Sequence, residues 1–136
     1  MRQWELLSEE DLLAIHKSQI EDYGGRDGIR DIEGVKAAAA RPMNIISYNP
    51  DADIFDLASA VFFSITRNRH PFVDGNKRVG FAACDIILML NDYQLDVNFS
   101  QAFPVIMNAT TGNLTEGEFS AWLRENSSLN EKLRNL

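Results

Sequence analysis

Near the middle of the chain, two apolar segments with helical spacing are separated by Pro71 and Gly75, and this interruption constrains the fold more than any other feature. From about Asp53 to Asn68, the residues Phe55, Ala58, Ser59, Phe62, Phe63 and Thr66 fall on or near one helical face. From near Gly75 to about Asn91, Val79, Ala83, Ile86, Ile87 and Leu90 point inward in the same manner. Pro71 drives His70 out of the right-handed helical region, so the first helix must end there. Gly75 then permits a tight backbone before the second helix begins. The predicted result is two helices joined by the short loop His70-Pro71-Phe72-Val73-Asp74-Gly75-Asn76-Lys77-Arg78.

The flanking sequence extends this helical pattern. Ser8-Glu9-Glu10-Asp11 resembles a capping box, and Leu12, Leu13, Ile15, Ile20 and Tyr23 follow with helical spacing until Gly24-Gly25. Asp31 can cap a second helix through Val35 to Ala40, which Arg41-Pro42 is expected to close. Met43, Asn44, Ile45, Ile46, Ser47 and Tyr48 read as an exposed strand or flap, with turn chemistry at Asn49-Pro50-Asp51. A small strand is expected at Gln94 to Val97, and two closing helices at Phe103 to Ala109 and Thr115 to Arg124. Thr115-Glu116-Gly117-Glu118 is a complete capping box. Residues 125 to 136 are polar and are expected to fray. The chain thus reads as all-α, about six helices with a short β flap.

Composition bounds the class. With 136 residues, 45% of them hydrophobic, the chain can build a core without crosslinks, and Cys84 alone cannot form an internal disulfide. The longest apolar run, Ile86 to Leu90, is far too short to span a bilayer. Met1-Arg2-Gln3-Trp4-Glu5 lacks the apolar stretch of a secretory leader. These features predict a soluble cytoplasmic protein with one domain over residues 1–136, its core at about 6–124.

Charge placement points to a ligand. The chain carries a net charge of −7, which argues against a general nucleic-acid binder. Residues 67 to 78 nevertheless hold Arg67, Arg69, Lys77 and Arg78 against Asp74 alone. Lys77 and Arg78 fall in the first turn of a helix, where positive charge opposes the helix dipole unless an anion sits on that terminus. Asp74, one residue before it, has the placement of a Mg²⁺ ligand beside phosphate oxygens. His70 is suited to accept a proton from an attacking hydroxyl, and Phe72 can plug the loop into the core. Taken singly, each residue has a plainer reading: His70 as a helix cap, Asp74 and Gly75-Asn76 as turn residues, Lys77 and Arg78 as solvated charges. Together, on one loop at one helix start, they describe a phosphotransfer site. His16 reads as a surface or partly buried histidine on the first helix, and Cys84 as inert packing. Arg67 and Arg69 receive no role.

At this loop the sequence resembles the Fic/Doc (Fido) family, in particular its Doc toxin branch. Residues 70–78 match the family pattern His-Pro-Phe-x-Asp/Glu-Gly-Asn-Gly/Lys-Arg at every specified position. The similarity reaches Gly24-Gly25, Gly28-Ile29-Arg30-Asp31 and Ala40-Arg41-Pro42, covering roughly residues 6–124. The resemblance implies a Fido fold, ATP and Mg²⁺, with His70 as general base and Asp74 on the metal. It puts Gly75, Asn76 and Lys77 at the anion hole, Arg78 on phosphate, and residues 43–48 as a flap that pairs with an extended target segment. AMP-transferring members have a glycine where Lys77 stands and a second arginine where Phe81 stands. Both departures favour γ-phosphoryl transfer of Doc type, with a threonine of elongation factor Tu as the family target. The alternatives are AMP or UMP transfer to a protein hydroxyl, and a Fido domain that binds a partner without chemistry. Many Fic enzymes carry an inhibitory Ser/Thr-x-x-x-Glu-Gly/Asn helix. Here Glu33, Glu116 and Glu125 are preceded four positions earlier by Ile29, Gly112 and Ala121, so restraint is expected from a separate Phd-like antitoxin. No direct contact with nucleic acid or membrane is expected.

Overall fold

The computed structural model describes residues 3–130 and 132. Six α-helices surround one apolar core: α1 (Glu9–Tyr23), α2 (Ile32–Tyr48), α3 (Ile54–Phe63), α4 (Asn76–Leu90), α5 (Phe99–Thr110) and α6 (Glu116–Glu125). Strands β1 (Tyr93–Leu95) and β2 (Ser127–Leu129) form a small antiparallel sheet, with Gln94 opposite Ser128. Among the described residues, no helix is long and apolar enough to cross a membrane.

Local signals place most helix starts. Ser8 Oγ accepts from the Asp11 N–H while the Asp11 carboxylate accepts from the Ser8 N–H, so aspartate completes the capping box that opens α1. Asp53 and Asp56 make the same reciprocal pair for α3, Asn98 and Gln101 for α5, and Thr115 and Glu118 for α6. The α5 box moves its start to Phe99, four residues before the expected Phe103. Each such cap contributes about 1 kcal/mol.

The core is organised around α3, in which every residue except Asp56 is buried. Such a helix must be covered on all sides. Phe62 stacks on Phe119 of α6 at 4.3 Å between ring centroids, and Val79, Ala83 and Ile87 of α4 are fully buried in the same cluster. Cys84 is also fully buried, as expected for packing.

Two expectations are overturned and a third is refined. First, α2 does not stop at Arg41-Pro42. It continues through residues 43–48 to Tyr48, so Met43, Asn44, Ile45, Ile46, Ser47 and Tyr48 are helical and no β flap exists there. A proline inside a helix costs about 3 kcal/mol or more, yet Pro42 is buried and Ile45 and Ile46 pack against the core. Tertiary burial therefore outweighs both the proline and the strand preference of isoleucine. Secondly, the polar tail is not frayed throughout, because Ser127–Leu129 pairs with β1 and the Asn130 N–H donates to the Asp92 carbonyl at 2.7 Å. Residues 131 and 133–136 lie outside the described residues. Thirdly, α3 gives way after Phe63 to a π-helical turn, Ser64–Arg69. Thr66 bonds back to the Phe62 carbonyl, and Gly80 allows α4 to pass close by: a Cβ there would lie 2.4 Å from Thr66 Cγ2. This wider turn delivers the chain to His70.

Candidate active site

The π-helical turn ends at His70, whose backbone is left-handed (φ 46°, ψ 60°). Proline at the next position disfavours the right-handed region, and the chain leaves the helix sharply there. The Arg30 guanidinium donates to the His70 carbonyl, fixing this corner from the α1–α2 connection.

That connection also holds the rest of the loop. Ile29 and Phe72 form a single antiparallel bridge, in which the Arg30 N–H donates to the Pro71 carbonyl and the Val73 N–H to the Gly28 carbonyl. Phe72 is fully buried and lies flat against the His16 ring, 4.1 Å away and 5° from parallel. His16 Nε2 is 3.1 Å from the Asp74 carbonyl oxygen, so that nitrogen carries the proton and donates. With only 3% of its surface exposed, His16 is a buried support of the loop rather than the surface or partly buried histidine that its sequence context suggested.

Asn76 ties the loop to the start of α4. Its Oδ1 accepts from the Phe72 N–H at 3.1 Å and its Nδ2 donates to the Phe72 carbonyl at 3.0 Å. The amide side chain is thus occupied with its own loop, and what Asn76 presents to a ligand is its backbone N–H. Gly75 caps α4 in a left-handed conformation (φ 80°), and the first helical bond runs from the Val79 N–H to the Gly75 carbonyl. The amides of Asn76, Lys77 and Arg78 precede that bond and form an N-terminal nest of N–H donors, the kind of terminus that can hold an anion.

The Asp74 carboxylate stands beside this nest. It accepts from the Arg26 N–H at 3.2 Å and from the Gly75 N–H at 2.9 Å. These two bonds, Arg26 first, hold its pKa below the ordinary carboxylate value against a small opposing desolvation. His70, Asp74, Gly75, Asn76, Lys77 and Arg78 line one open groove of about 390 Å³, with Val73, Phe99 and Phe103 completing the wall. That volume suits a small-molecule ligand. Among the described residues, no ion-pairing carboxylate reaches Lys77 or Arg78, so the groove holds two cations without an ion-pair partner there. Asp74 is the one acidic side chain in its lining, and among the described residues no cluster of three metal-binding side chains occurs. A cation held here would complete its shell with water and ligand oxygens, which suits Mg²⁺ and not a cage-bound metal.

The structure therefore gathers the six predicted loop residues into one site, whereas residues 43–48 stand outside it. As part of α2 they have their backbone groups engaged in the helix, so they offer no strand edge. Arg69 pairs with Asp31 (Nη2 to Oδ2, 2.9 Å), the cap of α2, and Arg67 lies against Gly112. Neither of the two arginines left without a role lines the groove.

A family profile described as Fic/DOC matches residues 6–88, well over half of the chain and including the whole loop. The chain belongs to the Fic/Doc family. It is 32% identical over 118 residues to the protein kinase doc of Escherichia phage P1, covering 87% of this chain and 92% of that protein. It is 40% identical over 79 residues to the toxin Doc of Mycolicibacterium smegmatis, covering 57% of this chain and 59% of that protein. Residues that sequence reasoning missed in this Fic/Doc site are His16, Arg26, Phe99 and Phe103. The Asn98-x-x-Gln101 capping box could have drawn Phe99 and Phe103 into one helix. No local pattern pointed to His16 or Arg26, which meet the loop from far away in sequence.

Proposed function

We propose that this Fic/Doc protein is an ATP-dependent protein kinase that phosphorylates a hydroxyl of a translation factor, elongation factor Tu by family resemblance, and thereby arrests translation. The observation that carries the reading is the groove at the start of α4, where a histidine, a single carboxylate, three free amides and two cations without an ion-pair partner converge. The relative whose length the chain nearly spans is itself named a protein kinase.

His70 is the base that takes the proton of the attacking target hydroxyl. The Asn76, Lys77 and Arg78 amides hold the phosphoryl oxygens, with Lys77 and Arg78 adding full charges where negative charge accumulates. ATP would supply the γ-phosphoryl group and leave as ADP, and Asp74 is the residue that would hold a Mg²⁺ to offset the charge of the phosphates. Phe72, pinned by His16 and Asn76, keeps these groups in place while the target binds. Lys77, without an ion-pair partner, favours orienting a terminal phosphate at the nest, hence phosphoryl rather than nucleotidyl transfer.

An enzyme without the Ser/Thr-x-x-x-Glu brake requires restraint in trans. A Phd-like antitoxin whose tail folds on binding fits that need. Incubation with purified elongation factor Tu and either γ-labelled or α-labelled ATP tests the reaction. Label from γ-ATP on a threonine is the expected result. Transfer of α-label would establish AMP transfer instead, and no label from either would favour a binding module.

A further inference from the structure

The Arg78 guanidinium lies over two aromatic rings, its central carbon 4.1 Å from the Tyr23 ring centroid and 4.2 Å from that of Phe99. Tyr23 is the last residue of α1 and Phe99 the first of α5, so three helices converge on one side chain. Phe99 is itself braced, meeting Phe81 of α4 edge-on at 5.7 Å and Phe103 at 5.8 Å. Arg78 and Phe99 also line a neighbouring cavity of about 230 Å³ with Tyr23, Phe81 and Asp85, so the stack is the wall between that cavity and the phosphate groove. Asp85 shares this second cavity without forming an ion pair with Arg78.

A carboxylate partner would cancel the charge of the guanidinium and occupy its N–H groups. Aromatic faces do neither. They carry no acceptor oxygen, and among the described residues no hydrogen bond or ion pair engages the Arg78 guanidinium, so its donors stay available. They also restrict a flexible side chain, so less rotamer freedom is left to lose when an anion binds. Tyr23 is 64% exposed, so its ring contributes little to the core and most visibly covers Arg78.

We propose that Tyr23 and Phe99, with Phe81 behind Phe99, are positioning residues that hold Arg78 ready, with its donor edge open to a phosphoryl anion. What occupies that edge rests on the kinase reading, whereas the stack itself does not. The test combines Arg78 Nε–Hε NMR of the ligand-free protein with steady-state phosphorylation kinetics for Tyr23→Ala, Tyr23→Leu and Tyr23→Phe. Ring currents from the two rings should shift the wild-type resonance upfield, and Tyr23→Ala should move it back. Tyr23→Ala and Tyr23→Leu should lower kcat/KM for ATP by about 2- to 5-fold at unchanged melting temperature, and Tyr23→Phe should restore it. An unshifted resonance, or one indifferent to Tyr23→Ala, overturns the stack. Full activity in Tyr23→Ala, or full rescue by Tyr23→Leu, overturns the positioning role. A wild-type protein that phosphorylates nothing sinks the kinase reading, while the resonance still decides the stack.

Discussion

Replacing Asn76 with alanine separates two roles that the loop motif leaves merged, a ligand for phosphate and a clamp on the loop. In the structure the side-chain amide makes two hydrogen bonds, both to the backbone of Phe72, at 3.1 and 3.0 Å. The bridge to Ile29 uses Pro71 and Val73, so the Phe72 N–H and carbonyl point away from it, toward Asn76. Each bond contributes about 0.5–1.5 kcal/mol net, which puts the loss at about 1–3 kcal/mol. For a chain of 136 residues this corresponds to a fall in Tm of about 3–10 °C. Asn76→Asp should do no better than alanine: one carboxylate oxygen can still accept from the Phe72 N–H, but the other faces the Phe72 carbonyl and repels it. Thermal and urea melts of the two variants and wild type measure the effect, with an unchanged urea m-value showing that the loss is one of stability. Phosphoryl transfer should fall with stability because the nest loosens. An Asn76→Ala protein that melts within about 1 °C of wild type would refute the clamp. If that protein had also lost nucleotide affinity, the side chain would be a phosphate ligand after all.

His70→Ala should lower kcat by about 10²- to 10⁴-fold with little change in Tm, and near-normal turnover would remove His70 from the role of base. Asp74→Ala should abolish the Mg²⁺ dependence of nucleotide binding, measured by titration calorimetry with and without the metal; a preserved Mg²⁺ response would place the cation elsewhere. The pKa of Asp74 is lowered from 3.8, so its carboxylate stays ionised at any higher pH, and the benefit of its two backbone bonds is lost only as pH falls through the depressed value. A loss of metal-dependent binding between pH 5 and 7 would therefore have to come from another group. Gly80→Ala pushes a methyl toward Thr66, where a Cβ lies 2.4 Å from Thr66 Cγ2. The overpacking should cost about 1–3 kcal/mol, and unchanged stability in a urea melt would contradict the close passage of α4 beside the π-helical turn.

The features legible in the sequence are those decided within three or four residues. Ser8 with Asp11 and Thr115 with Glu118 announce their helices because each partner reaches the other's backbone across a single turn. Pro71 and Gly75 act on their own backbone dihedrals and those of the preceding residue, so the break between the central helices and the start of α4 could be read directly. The six residues of the loop that meet in the groove were legible for the same reason: one tight turn carries all of them.

Tertiary structure decided what depends on distant partners. Pro42, Ile45 and Ile46 argue locally for a broken helix and a strand, yet their burial against the core holds α2 together to Tyr48, because packing free energy exceeds local propensity. Ser127–Leu129 has no apolar alternation to announce it and becomes a strand only because β1 supplies the missing hydrogen-bond partners. His16 and Arg26 reach the loop across 58 and 48 positions, and Arg78 finds its two rings on helices before and after its own. The sequence alone determined which chemical groups stand on the loop, since that follows from residue identity and short-range sterics. The support beneath those groups and the direction they face were settled by the fold, which brings together surfaces that no local interaction connects.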